Sequence, residues 1–140
     1  AEDIGLANPN ALTIANTCFQ AVNVIGNPES RIILSECAVY LAVSPKSNST
    51  YMAIDEALAL VRETGNLPVP LHLRNAPTKL MKELDYGKNY AYAHSYDGNF
   101  VEVEFLPEEI SSTKFYNPGK NATESKIAEE LFKKWKGKYG

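Results

Sequence analysis

Between Arg31 and Val43 the chain carries Ile32, Ile33, Leu34, Cys37, Ala38, Val39, Tyr40, Leu41, Ala42 and Val43, with only Arg31, Ser35 and Glu36 to make a polar side. Read as a helix over about 29–43, this stretch is apolar nearly all round, and such a helix has to be covered on nearly all sides. In a chain of 140 residues, three or four neighbouring helices can hardly enclose it. Two arrangements answer the requirement. Either the helix is the centre of the core, or part of its surface packs against another copy or another domain.

The flanking residues place further helices around it. Asn8-Pro9 offers an N-cap followed by a proline where the missing N–H costs nothing, and from Asn10 to Ile25 the residues Ala11, Ile14, Ala15, Cys18, Val22 and Ile25 recur at helical spacing, widened by Leu12 and Phe19. Gly26 ends this helix, and Asn27-Pro28 repeats the capping signal for the next. Ser44-Pro45 stops that one, and Ser47 or Asn48 caps a third helix running to about Thr64 with Gly65 as its stop. Tyr51, Ile54, Leu58 and Val61 form its stripe, and Ala53 and Ala57 allow a neighbour to approach. Short turns between consecutive helices favour antiparallel neighbours. The predicted fold class is therefore mainly α, a helical bundle.

Leu67-Pro68-Val69-Pro70 is a stiff connector. A short helix follows, with Thr78 near its start, Leu80, Met81 and Leu84 along it, and Gly87 placed to end it. The period then changes. Tyr90, Tyr92, His94 and Tyr96 alternate, Asp97-Gly98 is a hairpin turn signal, and Phe100 to Phe105 alternates again. These residues predict a small β-ribbon or extended excursion near 88–117, its aromatic face docked on the helices because an isolated hairpin is marginal in water. Phe115-Tyr116 is a second aromatic anchor. Asn121-Ala122-Thr123-Glu124 resembles a capping box and opens a last helix to about Lys136, with Ile127, Leu131 and Trp135 on one side. Its early glutamates and late lysines suit the helix dipole, which accounts for the lysine run without any nucleic acid.

At this length the chain suits one domain, 1–140, able to bury a core without disulfides or metal. No apolar run approaches the roughly 20 residues that span a bilayer, and no secretory leader opens the sequence. The expectation is a cytoplasmic protein. Cys18 and Cys37 sit in apolar helical patterns and are expected to be buried free thiols. The formal net charge is -3, but three Lys/Arg and seven Asp/Glu precede Asn66, against eleven and ten from there onward.

The tempting constellation for an enzyme is His72, His94, Asp85 and several tyrosines. No nucleophile or metal orders it, and His72 between Leu71 and Leu73 reads as a hydrogen-bonded, half-buried structural residue. No catalytic, cofactor or metal residue is assigned. A phosphate-binding loop would need Gly-x-x-x-x-Gly-Lys-Ser/Thr after a strand, and this sequence has none. Arg74, Lys79, Lys82 and Lys88, with Tyr86, Tyr90 and Tyr92 nearby, supply cations and rings as single-strand binding requires. The same residues serve equally as a turn brace and a solvated helix face.

Leu71-His72-Leu73-Arg74-Asn75-Ala76-Pro77-Thr78-Lys79-Leu80-Met81-Lys82, followed by Tyr86-Gly87 and Tyr92-Ala93-His94, strongly resembles the C-terminal domain of the replication-associated recombination protein A family (RarA, also called MgsA). These are AAA+ ATPases related to clamp-loader subunits and to the Werner-helicase-interacting ATPases. Glu2-Asp3-Ile4-Gly5-Leu6-Ala7, Ser44-Pro45-Lys46-Ser47-Asn48, Leu106-Pro107-Glu108-Glu109 and Phe115-Tyr116 also match, so the resemblance covers nearly the whole chain. It implies a clamp-loader-collar-like oligomerisation domain of a larger ATPase, a fragment whose ATP and magnesium site lies outside this chain. It also implies homotetramers and a DNA-dependent ATPase acting in replication, recombination and stalled-fork maintenance. Partners are then other copies, DNA through the complete protein, and replication proteins, with a nucleoid-associated location and no membrane. The candidate interface residues are Ile33, Val39, Tyr40 and Val43, then Tyr51, Ile54 and Leu58. The alternative is a DNA- or partner-docking module using 74–92.

Overall fold

The computed structural model describes residues 1–139 and is mainly helical. Five α-helices are formed among the described residues: α1 (Asn10–Ile25), α2 (Ser30–Val43), α3 (Ser49–Thr64), α4 (Lys79–Glu83) and α5 (Ala122–Trp135). Short 3-10 turns stand at Gly5–Ala7, Leu71–Leu73, Ala93–Ser95, Asp97–Asn99 and Glu108–Ile110. α1, α2, α3 and α5 fall where apolar spacing and stop signals put them, whereas α4 starts after Thr78 as expected but stops at Glu83, so Leu84 lies beyond it and Gly87 does not end it. No helix of the described residues is long and apolar enough to cross a membrane.

The chain divides into two compact units, one of Ala1–Leu58 with Phe115–Glu129, the other of Ala59–Lys114 with the chain from Glu130 onward. In the first, α1 and α2 pack side by side. Ile14, Ala15, Cys18, Ile33, Cys37 and Tyr40 are half-buried, and small or slim side chains there let the two backbones approach. The entry segment is tied down as well, since the Ser47 N–H donates to the Asp3 carbonyl at 2.8 Å. A Cβ on Gly5, whose φ is +48°, would lie 2.8 Å from the Ser47 carbonyl oxygen. The second unit is built around Trp135. Phe100, Phe105 and Tyr139 meet its ring edge-on at 5.0, 6.2 and 5.1 Å between centroids.

Three expectations are corrected. The β-ribbon near 88–117 is absent: the described residues contain no strand, and 93–95 and 97–99 are 3-10 turns. The alternation in sequence is real but its sense is inverted. Ala91 and Ala93 are half-buried while Tyr90, Tyr92, His94 and Tyr96 are exposed, so the small residues face the unit and the rings face outward. Without an aromatic face to bury, a hairpin loses its main support. The caps at Asn8 and Asn27 are also absent. The Asn8 amide donates at 3.0 Å to the Tyr40 hydroxyl and to Ser44 Oγ, and Asn27 Oδ1 accepts from the Ser30 hydroxyl at 2.5 Å. Lastly, Cys18 and Cys37 are half-buried rather than buried. Burial, and after it the neighbouring Cys37 thiol, lifts the Cys18 thiol above its ordinary range.

Candidate functional site

Among the described residues, the buried apolar side chains are Ile4, Ala7 and Ala11. The large ones are on the outside. On α2, Ile32, Leu34, Val39 and Val43 are 54–75% exposed. On α3, Ala53, Ala57 and Leu60 are half-buried, whereas Tyr51, Ile54, Leu58 and Val61 keep 42–55% of their surface in water. Those four are spaced three, four and three residues apart, the repeat that forms a helix-packing seam. On α1, Leu12, Phe19 and Val24 are exposed too. A groove of about 460 Å³ lies on the same unit, floored by Ala11 and Ala15 of α1 and Ala38 and Ala42 of α2.

The candidate interface residues divide accordingly. Val39, Val43, Tyr51, Ile54 and Leu58 are exposed. Ile33 and Tyr40 are half-buried, and the Tyr40 hydroxyl is engaged by Asn8. Sequence reasoning does not single out Ile32, Leu34 or the α1 residues Leu12, Phe19 and Val24. The signal is present for α1, because Leu12 and Phe19 make its stripe wider than one neighbour covers.

A polar nest holds this unit together. Glu124, on the first turn of α5, is fully buried. Its carboxylate accepts from the Ser49 hydroxyl, from the Tyr116 hydroxyl at 2.9 Å and from the Asn121 amide at 2.5 Å. Burial pushes its pKa up, but donors at Ser47, Ser49, Asn121 and Tyr116 outweigh that and hold it at about 2. Tyr116 is pushed up to about 12 by its own burial and by the Glu124 charge. Asn121 is a true N-cap, its Oδ1 accepting from the Glu124 N–H at 3.0 Å. A Cβ on Gly119 would lie 2.6 Å from Glu124 Oε2, so a glycine there makes room for the carboxylate.

The second unit has a matching brace. Glu104 accepts from the backbone N–H groups of Leu106 and Ser112 at 3.0 and 2.9 Å and pairs with Lys138 at 2.8 Å. Burial raises its pKa, and these donors bring it down to about 2. His72 Nε2 donates to the Glu104 carbonyl at 2.9 Å, which is a structural role. His94 Nδ1 lies 3.2 Å from Asn99 Oδ1, and Asp85 pairs with Lys88 at 3.0 Å. Among the described residues no three His, Cys, Asp or Glu side chains gather as a metal site.

The basic candidates have separate engagements. The Arg74 guanidinium lies 5.0 Å from the Tyr86 ring centroid and donates to the Val69 carbonyl at 2.6 Å and the Tyr86 hydroxyl at 3.1 Å. It braces the turn. Lys79 approaches Glu83 at 3.9 Å in an exposed pair, and Lys82 is exposed. The sequence has no Gly-x-x-x-x-Gly-Lys-Ser/Thr stretch, and the Glu104 and Glu124 carboxylates are occupied by internal donors.

Residues 1–136 match the family described as MgsA AAA+ ATPase C terminal. The chain is 45% identical over 132 residues to replication-associated recombination protein A of Coxiella burnetii, covering 94% of this chain and 30% of that protein. The protein of the same name from Escherichia coli K12 is 42% identical, with the same coverage of both chains. The ATPase WRNIP1 of Dictyostelium discoideum is 43% identical over 117 residues, 83% of this chain and 13% of that one. The chain thus spans less than a third of the length of these relatives. It belongs to the MgsA AAA+ ATPase C-terminal family.

Proposed function

We propose that this chain is the oligomerisation collar of a RarA-like AAA+ ATPase, acting as one domain that carries no chemistry of its own. Copies cover each other's α2 and α3 surfaces and assemble into a homotetramer. ATP and magnesium bind elsewhere in the complete protein, and the complete protein meets DNA and replication proteins at stalled forks, in the cytoplasm and at the nucleoid. Holding ATPase modules together raises their effective concentration, so that sites shared between neighbours can form.

The observation that carries this reading is the uncovered apolar surface of α2 and α3. On α2, Ile32, Leu34, Val39 and Val43 are 54–75% exposed, and on α3, Tyr51, Ile54, Leu58 and Val61 are 42–55% exposed. In a closed ring each copy offers such surface to its neighbours on both sides.

Sedimentation across a dilution series tests the reading. Wild type is expected to sediment as a stable assembly, and Val39→Asp with Leu58→Asp to shift it to monomer while circular dichroism stays helical. A concentration-independent wild-type monomer discards the collar.

A further inference from the structure

We propose that Cys18 of α1 and Cys37 of α2 form a reversible oxidation site, a dithiol that a peroxide closes to a disulfide within one chain. The register of the two helices places them opposite each other. Cys18 stands seven residues before the end of α1 at Ile25, and Cys37 seven residues after the start of α2 at Ser30. The connecting turn is short and α1 packs on α2, so the two make a helical hairpin with each cysteine about two turns from the bend. The open end of the hairpin agrees with this register, since the Asn8 amide reaches both the Tyr40 hydroxyl and Ser44 Oγ at 3.0 Å. Both cysteines are free and half-buried, within reach of a small oxidant. A disulfide draws two Cα atoms to about 4.4–6.8 Å. Ala15 and Ala21, three residues either side of Cys18, are small and half-buried, which leaves room for α2 to come that close.

The chemistry balances with hydrogen peroxide or an alkyl hydroperoxide as oxidant. One cysteine, as thiolate, attacks a peroxide oxygen. The O–O bond breaks, a sulfenic acid forms, and the departing oxygen takes up the thiol's proton to leave as water or an alcohol. The other cysteine attacks that sulfur, the S–S bond forms, and the hydroxyl leaves as water with the second thiol's proton. Both sulfurs are oxidised and both peroxide oxygens reduced. A dithiol reductant restores the thiols by exchange. Burial, and then the adjacent Cys37 thiol, keeps the Cys18 proton in place, and a protonated thiol reacts slowly, so the site answers a sustained oxidant. Closure removes conformations from the unfolded chain between the two residues, which makes the oxidised form the more stable one.

Mass spectrometry, thiol titration and melting of the chain after hydrogen peroxide, with and without dithiothreitol, test this. Wild type is expected to lose two hydrogen atoms in mass, to lose both thiols together, and to run as a single chain on a non-reducing denaturing gel. Its Tm should rise by about 10 °C. Dithiothreitol should reverse the changes in mass, thiol count and Tm. Cys18→Ala and Cys37→Ala, each with one thiol left, should show no such rise in Tm. A wild-type disulfide that joins two chains overturns the proposal, because it places the thiols outward instead of across the hairpin. A wild type that keeps both thiols, or only gains oxygen atoms in mass, overturns it whether or not the variants fold. So does a closed form that melts no higher than the reduced one.

Discussion

Glu124 has its charge matched by hydroxyl and amide donors from three places in the chain: Ser49 at the start of α3, Tyr116, and Asn121. A buried carboxylate is tolerated in such a place because donors meet its lone pairs, and removing any one of them leaves an unsatisfied group. Its pKa lies at about 2 against an ordinary 4.5, so the unfolded chain takes up the proton first as pH falls. The stabilisation from Glu124 is complete above about pH 5, shrinks between pH 4.5 and 2, and is gone below. Glu104 shares that window, with a pKa also at about 2. Glu124→Gln, which turns an amide N–H₂ toward the donors, is expected to destabilise the fold at neutral pH by about 1–3 kcal/mol. It should also make the acid loss of stability shallower, leaving the part due to Glu104. Urea midpoints from pH 7 to pH 3 check both, and an unaltered acid slope would remove Glu124 from this role.

At the level of elements, helix placement is legible because apolar spacing and Gly or Pro stops are local signals. The ends are less so. Asn8, Asn27 and Asn121 all stand where a cap is wanted, yet only Asn121 accepts a backbone N–H. Tyr40 and Ser44, thirty-two and thirty-six residues away in sequence, compete for Asn8, and a competitor that distant is invisible to local reading. Asn121→Ala should therefore cost about 1–2 kcal/mol, as a true cap does, with faster amide exchange in the first turn of α5. Asn8→Ala should leave amide exchange at the start of α1 unchanged. The tyrosine run misleads for a related reason. Period two says that two faces differ, but not which face the fold will bury, and here Ala91 and Ala93 are the half-buried ones. The candidate interface is legible as a surplus of apolar surface on α2. Which of those residues stay outside depends on how α1 packs beside it, and that puts Ile33 and Tyr40 among the half-buried side chains.

For the whole molecule, the proposed collar makes stability and assembly one quantity, because Val39, Val43, Ile54 and Leu58 stand in water until another copy covers them. Among the described residues the buried apolar side chains are Ile4, Ala7 and Ala11, so in the proposed collar the covering of exposed helix faces by another copy contributes directly to the free energy of the folded state. Each tenfold dilution then weakens the assembled form by about 1.4 kcal/mol per contact. For a domain of this length that corresponds to a fall in Tm of about 2–6 °C per tenfold dilution. Calorimetry of the wild-type chain over a hundredfold concentration range should reveal that slope. Val39→Asp with Leu58→Asp should melt lower and at a temperature independent of concentration, because no association remains to be diluted. A wild-type Tm that does not move with concentration would mean that the folded chain tolerates its exposed helices alone, and the collar would lose the physical reason for existing.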